Sequence, residues 1–156
     1  MSPAPLSSGV WQQLLTTEQA INFVRTGGTL ILSAGFSWDI GFPEVDKFFI
    51  DLGLSWRFVE YRRKEYVLNR AMKQVDTSCL GRLWRKISIK GNHLEDVSGH
   101  DAIYLPDLSS PKEIMHPRET PAALGTCGQG KVGYVSDVNP AEPTALIVLA
   151  MCGLGG

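Results

Sequence analysis

The fold prediction depends most strongly on GGTLIL, residues 27–32. The two glycines suit a helix end, because glycine adopts the left-handed conformation of a C-cap without steric cost. The apolar run Thr29–Leu32 is typical of a short strand buried on both faces. Upstream, apolar residues recur at helical spacing from Val10 to Val24. Helix, glycine pair and buried strand together predict one half of a parallel α/β unit.

Further elements are predicted at short intervals downstream. Pro43 opens a helix that Gly53 ends, and residues 69–86 suit a helix interrupted near Thr77. Residues 93–97 are predicted as a connector, and residues 106–120, rich in Pro, Ser and charge, as an exposed loop. Short strands are predicted at Trp56–Tyr61, Tyr66–Leu68, Ile87–Ile89 and Ala102–Leu105.

The last third of the chain predicts a hairpin followed by a helix. Residues 121–126 and 131–136 flank the glycine-rich turn at residues 127–130. Asn139 followed by Pro140 is typical of a helix N-cap and first turn. The apolar run that ends at Cys152 is the closing helix, and Cys152 is predicted to lie in the core.

Composition predicts one ordinary globular domain covering residues 1–156, with residues 1–8 as a flexible tail. The 156 residues are 44% hydrophobic and 20% charged, with a net charge of −1. Three widely spaced cysteines and the absence of a CxxC pair argue against a disulfide framework and a structural zinc site. The longest apolar run, residues 145–152, is too short to span a bilayer, and the start of the chain lacks a secretory signal pattern. We therefore expect a cytoplasmic protein without a membrane partner.

Residues 27–32, the hairpin at 121–135 and the closing helix resemble the class I glutamine amidotransferase-like superfamily, including its ThuA-like branch. The resemblance extends from about Val10 to Leu154. Within the superfamily, the chain is most similar to small fungal proteins without an assigned activity. It implies a three-layer, flavodoxin-like α/β fold with a mostly parallel sheet and a C-terminal antiparallel hairpin. The usual first β-α-β segment is missing before Val10, which indicates a shortened relative, a truncated gene model or a chain whose exposed sheet edge needs a partner.

This resemblance also implies what the protein does. Active amidotransferases carry a nucleophilic cysteine in the turn after the strand that corresponds to residues 29–32. Here that turn reads GFSW at residues 35–38, so glutaminase chemistry is not expected. The resemblance implies a small-molecule-binding or accessory protein, in the setting of fungal specialised metabolism, with no cofactor.

A serine-dependent hydrolase or isomerase is the alternative function. Ser37 lies where a strand runs into a turn, and Gly35 precedes it as in part of a nucleophile elbow. A serine nucleophile needs a histidine base oriented by a carboxylate, and His93 with Asp137 is the preferred pair. The other candidates are His100 and His116 as bases, and Asp39 and Asp101 as orienting carboxylates. The preferred interpretation is that Ser37 caps a helix or a turn.

Strand ends supply the candidate ligand-binding residues. Ligands of open α/β sheets bind outside the carboxyl ends of the strands. Phe36, Trp38 and Asp39 follow the first buried strand, and Asn139 follows the hairpin. The turn around Cys127 could aim backbone N–H groups at an anion, but an ordinary hairpin turn is preferred.

No metal site is predicted. Histidines and carboxylates lie close together between residues 93 and 101, yet they do not form a metal-binding motif. A solvated polar loop is the preferred interpretation. The residues concerned are His93, Glu95, Asp96, His100 and Asp101.

Charge is unevenly distributed along the chain. Residues 57–90 hold ten Lys or Arg and three carboxylates, interleaved with aromatic residues. This mixture is compatible with phosphate or single-stranded nucleic acid binding, but a solvated face over buried aromatics is preferred, and nucleic acid is not an expected partner. A small-molecule ligand, a second copy of the chain or a partner chain on the exposed sheet edge are the expected partners.

Overall fold

A computed structural model describes residues 17–33, 42–107, 109, 118–136 and 142–154. Within these ranges none of the helices is long and apolar enough to cross a membrane. The helices are α1 (Thr17–Arg25), α2 (Phe42–Asp51), α3 (Thr77–Leu80) and α4 (Glu142–Met151). The strands are β1 (Thr29–Leu32), β2 (Arg57–Leu68), β3 (Lys86–Glu95), β4 (Tyr104–Pro106), β5 (Ala122–Cys127) and β6 (Gly130–Val135).

The first sheet has the strand order β1-β6-β5. β1 runs parallel to β6, with Leu32 beside Tyr134, and β5 pairs antiparallel with β6 through the tight turn at Gly128. Gly128 has a φ of 58°, a conformation that glycine adopts without strain. Because β1 and β6 are parallel, their carboxyl ends lie at the same edge of the sheet.

The second sheet has the strand order β3-β2-β4 and is antiparallel throughout. β2 is 12 residues long and β3 is 10, so the pair forms a long two-stranded ribbon. The register shifts by one residue between Phe58 and Tyr61, which is a bulge in β2. We call this pair the β2–β3 ribbon.

Short contacts join the two sheets. Leu94 and Thr120 exchange two backbone hydrogen bonds of 2.9 and 2.8 Å, which draws the segment before β5 against β3. The Tyr134 hydroxyl donates to the Asn92 carbonyl at 2.6 Å. A Cβ at Gly91 would overlap the carbonyl oxygen of Ser136, so only glycine permits β3 to approach the end of β6 this closely.

Helices cover both faces of the first sheet. Side chains alternate between the two faces along each strand, so one strand contributes to both hydrophobic clusters. Tyr134 and Val132 face the cluster formed with α1 and α2, whereas Val135 faces the cluster formed with α4. The first cluster includes Val24, Val45, Phe49, Trp56, Phe58 and Leu94; the second includes Tyr66, Ile87, Ile89, Leu124, Ile147 and Met151.

The predicted mostly parallel, flavodoxin-like sheet is wrong. Among the described strands only β1 and β6 pair in parallel, and the described chain between them builds an antiparallel sheet instead of further parallel units. The physical reason lies in β2, whose outward residues are exposed and charged, as in an antiparallel sheet with one wet face. A strand of a doubly wound parallel sheet is buried on both faces.

Several local predictions are confirmed: the strand Thr29–Leu32, the helix that opens near Pro43, the C-terminal hairpin and the closing helix. β1 is nevertheless only partly buried. Residues 57–68 form one strand where two were predicted, and residues 69–86 hold only the short α3.

Two further predictions fail around residue 93 and residue 119. His93 belongs to β3 and not to a connector, because β3 continues to Glu95. Glu119 and Thr120 are fully buried, although they end the loop predicted to be exposed.

Candidate functional site

The inward face of the β2–β3 ribbon carries polar side chains. Lys64 and Tyr66 are two residues apart on β2 and therefore share a face, and both are buried. His93 on β3 is buried with them, and its ring lies edge-on to Tyr66 with ring centroids 5.1 Å apart. The face that the strand pattern directs into the core thus holds a lysine, a tyrosine and a histidine.

Lys64 is paired with a carboxylate. Its Nζ lies 3.0 Å from Glu119 Oε2, and the two side chains are only 5% and 0% exposed. Glu119 reaches this place because the backbone bridge between Leu94 and Thr120 holds its segment against β3. Lys64 Nζ also lies 6.0 Å from the centre of the Tyr66 ring, at the outer limit of a cation–π contact.

His93 is paired with a serine. Its Nδ1 lies 2.8 Å from Ser136 Oγ, within hydrogen-bonding distance. The backbone N–H of Ser136 donates to the Pro121 carbonyl at 2.9 Å, so the residue is fixed from two sides. A row of neighbouring side chains thus extends from the Glu119 carboxylate to the Ser136 hydroxyl. We call the group Glu119, Lys64, Tyr66, His93 and Ser136 the polar cluster.

The polar cluster lies beside the carboxyl edge of the parallel strand pair. Ser136 directly follows β6, and Ser33 follows β1 at the same edge. This edge is where ligands of α/β sheets bind. The cluster combines an ammonium, a carboxylate, an imidazole and two hydroxyls, so it offers both donors and acceptors of hydrogen bonds.

Of the preferred catalytic set Ser37, His93 and Asp137, only His93 lies within the described residues. Ser37 and Asp137 fall outside them, as do His116 and the candidate ligand-binding residues Phe36, Trp38, Asp39 and Asn139. The pairing of Ser37 with a histidine therefore stays a prediction. The serine that the structure does bring to His93 is Ser136.

The remaining histidine and carboxylates lie apart from this cluster. His100 is exposed, and Asp101 accepts a hydrogen bond of 2.9 Å from Gln74 Nε2. Glu95 and Asp96 bind Arg57, at 2.6 and 2.7 Å, and the hydrogen bond and charge of Asp96 raise the pKa of Arg57.

Across residues 17–33, 42–107, 109, 118–136 and 142–154, no three His, Cys, Asp or Glu side chains converge as a metal site.

The surroundings of Cys127 indicate a structural role. Cys127 is buried, and its Sγ donates to the Leu52 carbonyl at 2.8 Å. In the adjoining turn the N–H groups of Gln129 and Lys131 donate to the carbonyls of Arg25 and Gly28, respectively. These N–H groups are therefore not directed at an anion, as expected for an ordinary hairpin turn. The prediction that Cys152 lies in the core is wrong, because it follows α4 and is exposed.

Sequence reasoning missed Lys64, Glu119 and Ser136. Lys64 lies in a run of charged residues, RRKE at positions 62–65, in which nothing distinguishes the buried member from its exposed neighbours. Glu119 owes its burial to the bridge with β3, which involves a segment distant in sequence. Ser136 had a signal, since it ends a predicted strand one residue before the candidate Asp137.

Comparison with solved structures finds this fold inside longer chains. A crystal structure of the β-galactosidase from Bacillus circulans sp. alkalophilus is similar over 87% of this chain, with a TM-score of 0.53 and 16% identity. The cold-adapted β-galactosidase from Rahnella sp. R3 is similar over 87% of this chain, with a TM-score of 0.50 and 18% identity. At such identities the likeness shows the fold alone, and this chain covers 20% of each of those chains. No family model and no curated protein matches the chain.

Proposed function

We propose that the protein binds a small polar molecule at the carboxyl edge of β1 and β6 and acts as a binding or accessory protein without glutaminase chemistry. The observation that carries this proposal is the buried ion pair of Lys64 and Glu119 next to the hydrogen-bonded pair of His93 and Ser136. The cluster forms one wall of the proposed site.

The energetic cost of such a cluster supports a functional role. Taking a lysine and a glutamate out of water costs several kcal/mol per ion, and well-packed apolar residues often give equal or greater stability. Buried, hydrogen-bonded ionisable groups beside a strand end are therefore candidates for ligand recognition.

The accessory role has separate support. In both similar solved structures the matched fold is one part of a much longer chain, of which this protein spans a fifth. A unit with this fold is suited to act beside other domains or subunits. The membership of the amidotransferase-like superfamily, and the fungal setting that it implies, stay predictions.

The test is a thermal-shift screen of polar metabolites, followed by calorimetry on each molecule that raises the melting temperature. We expect a ligand whose affinity falls about tenfold or more in Ser136→Ala, because each lost hydrogen bond to a buried site costs about 1–3 kcal/mol. Glu65→Gln, which changes an exposed carboxylate on β2, is the control and leaves the affinity unchanged. A ligand that binds both variants as tightly as the native chain would place the site elsewhere.

A serine hydrolase is the second candidate, favoured by the 2.8 Å contact between His93 Nδ1 and Ser136 Oγ. Labelling with a fluorophosphonate probe, which reacts with activated serines, tests it directly. Comparison of Ser136→Ala with Ser37→Ala then identifies the labelled residue. Unlabelled native protein, under conditions that label a control hydrolase, would reject this candidate.

An interaction subunit is the third candidate. Among the described strands β1 has a neighbour on one side only, so it forms an edge of the first sheet. Two exposed apolar side chains, Phe23 on α1 and Leu149 on α4, lie on the helices that cover this sheet. Sedimentation velocity over a range of concentrations checks the proposal, and a monomer at all concentrations would count against self-association.

A further inference from the structure

The outward face of the β2–β3 ribbon carries a group of exposed basic and aromatic side chains. Arg63 on β2 lies directly opposite Lys90 on β3, so both point away from the core on the same face. Tyr61 lies two residues before Arg63 on this face and is 41% exposed. We call Tyr61, Arg63 and Lys90 the outward triad.

The outward triad has an unbalanced charge. Elsewhere on the ribbon Arg57 pairs with Glu95 and Asp96, and Lys86 pairs with Glu65 and Asp107. Within the described residues Arg63 and Lys90 have no carboxylate partner, and the polar contact of Arg63 is a 3.3 Å hydrogen bond to the Ser88 hydroxyl.

The electrostatic repulsion between Arg63 and Lys90 suggests that this face binds an anion. Like charges directly opposite each other on a sheet repel. An anion placed between the two cations would remove that repulsion and accept hydrogen bonds from both. The guanidinium of Arg63 offers the planar donor fork that suits phosphate.

Tyr61 adds a flat surface to this anion site. The Nζ of Lys90 lies 5.6 Å from the centre of its ring, so cation and ring face the same space. The bulge between Phe58 and Tyr61 sets Tyr61 opposite Asn92, in line with Arg63 and Lys90. A ligand with a phosphate and an adjoining aromatic ring matches both features.

We propose that the outward triad binds a nucleotide, with its phosphate between Arg63 and Lys90 and its base against Tyr61. The nucleotide comes either free or as part of a single strand, since both present the same phosphate and base. The site is separate from the polar cluster, because the two lie on opposite faces of the same ribbon. The net charge of the chain is −1, so the attraction is local to this face.

The experiment measures binding of a fluorescent oligothymidylate of about twelve nucleotides by anisotropy, and of adenosine and uridine monophosphates by NMR titration. Affinity for the oligonucleotide alone identifies a single strand as the ligand, whereas comparable affinity for a mononucleotide identifies the free form. Either result supports the proposal when it depends on the outward triad.

Variants define that dependence. We expect Arg63→Ala with Lys90→Ala to weaken oligonucleotide binding at least about tenfold and to lower the slope of log K against log salt by about 0.7 per phosphate lost. Tyr61→Leu weakens binding by about fivefold or more, through lost stacking, and leaves the salt slope unchanged. The matched control, Arg70→Ala with Lys73→Ala, removes two exposed cations from the same basic segment outside the ribbon.

Three outcomes would overturn the proposal. These are absence of binding by the native chain, equal losses in the outward and control double variants, and binding of poly-glutamate as tight as that of the oligonucleotide. The last would reveal a site for acidic chains in place of nucleotides. Unchanged melting temperatures verify that each variant is folded, as expected for exposed side chains.

Discussion

The two faces of the β2–β3 ribbon place neighbouring cations in opposite environments. On the inward face Lys64 is buried and bound to Glu119 at 3.0 Å. On the outward face the adjacent Arg63 is exposed and lies opposite Lys90, without a carboxylate partner among the described residues. Two adjacent residues of β2 therefore differ: Lys64 is neutralised by Glu119 inside the fold, whereas Arg63 is exposed to solvent and available to a ligand.

This difference between the two faces follows from the dielectric constant around each cation, which is high in water and low in the protein interior. A cation in water is solvated and needs no partner, whereas a buried cation without one is too costly to keep. The inward face must therefore supply its own counter-charge, and Glu119 provides it. The outward face is free of that constraint, so its charges are available for recognition.

The largest expected effect comes from breaking the inward pair. Glu119→Ala removes the carboxylate that lies 3.0 Å from the buried Lys64 Nζ, and we expect a loss of about 3–5 kcal/mol in the free energy of unfolding. Denaturation in urea measures it. The exposed Glu65→Ala serves as the control and should change stability by less than about 0.5 kcal/mol.

A double replacement sharpens this result. Lys64→Met together with Glu119→Leu removes both charges, so most of the stability lost in Glu119→Ala should return. If the double variant is as unstable as the single one, the cost arises from packing around Glu119 and not from an unpaired charge.

The next effect concerns the contact that brings β3 to the polar cluster. Gly91→Ala places a Cβ against the backbone carbonyl of Ser136, and we expect a loss of about 1–3 kcal/mol as the strands move apart. Gly99→Ala is the matched control, since no atom lies within 4 Å of its added Cβ. Equal stability of the two variants would contradict the close approach.

A smaller effect of opposite sign is expected on the outward face. Lys90→Glu converts a like-charge pair with Arg63 into an opposite-charge pair, which should stabilise the fold by about 0.2–1 kcal/mol. The gain should shrink at 1 M salt, because exposed charges are screened. A loss comparable to that of Glu119→Ala would mean that the two faces do not differ as described.

The smallest effect is a dependence on pH at the end of β4. Hydrogen bonds from Ser109, and then Lys86, hold the pKa of Asp107 below its usual range. A lowered pKa in the folded state stabilises above the ordinary pKa, and this contribution disappears as pH falls through the folded value. The stability difference between the native chain and Asp107→Asn should therefore be present at pH 7 and fade below about pH 4. A difference that grows on acidification would contradict this sign.

Local patterns predicted much of the first sheet. Glycines and apolar runs mark β1, the C-terminal hairpin and the closing helix, because these elements depend on neighbours in sequence and on burial. The pattern failed along β2, where charged residues at positions 62–65 suggested a break between two strands. A strand with one wet face tolerates such residues, and that face becomes visible only once β3 is in place.

The polar cluster was the harder part to predict. His93 was selected because a serine mechanism needs a histidine, yet its serine and carboxylate neighbours depend on long-range contacts. Ser136 reaches His93 because Gly91 permits a close approach, and Glu119 reaches Lys64 through the bridge between Leu94 and Thr120. No local pattern encodes either juxtaposition.

The parallel pairing of β1 with β6 also governs how the chain is made. Thr29 pairs with Lys131, so β1 must wait until about one hundred further residues have been synthesised. At ribosomal rates of about 5–20 residues per second, that wait lasts about 5–20 seconds. During this time the apolar side chains of α1 and β1 lack the strand that buries them, which makes this segment a natural client for a chaperone at the ribosome.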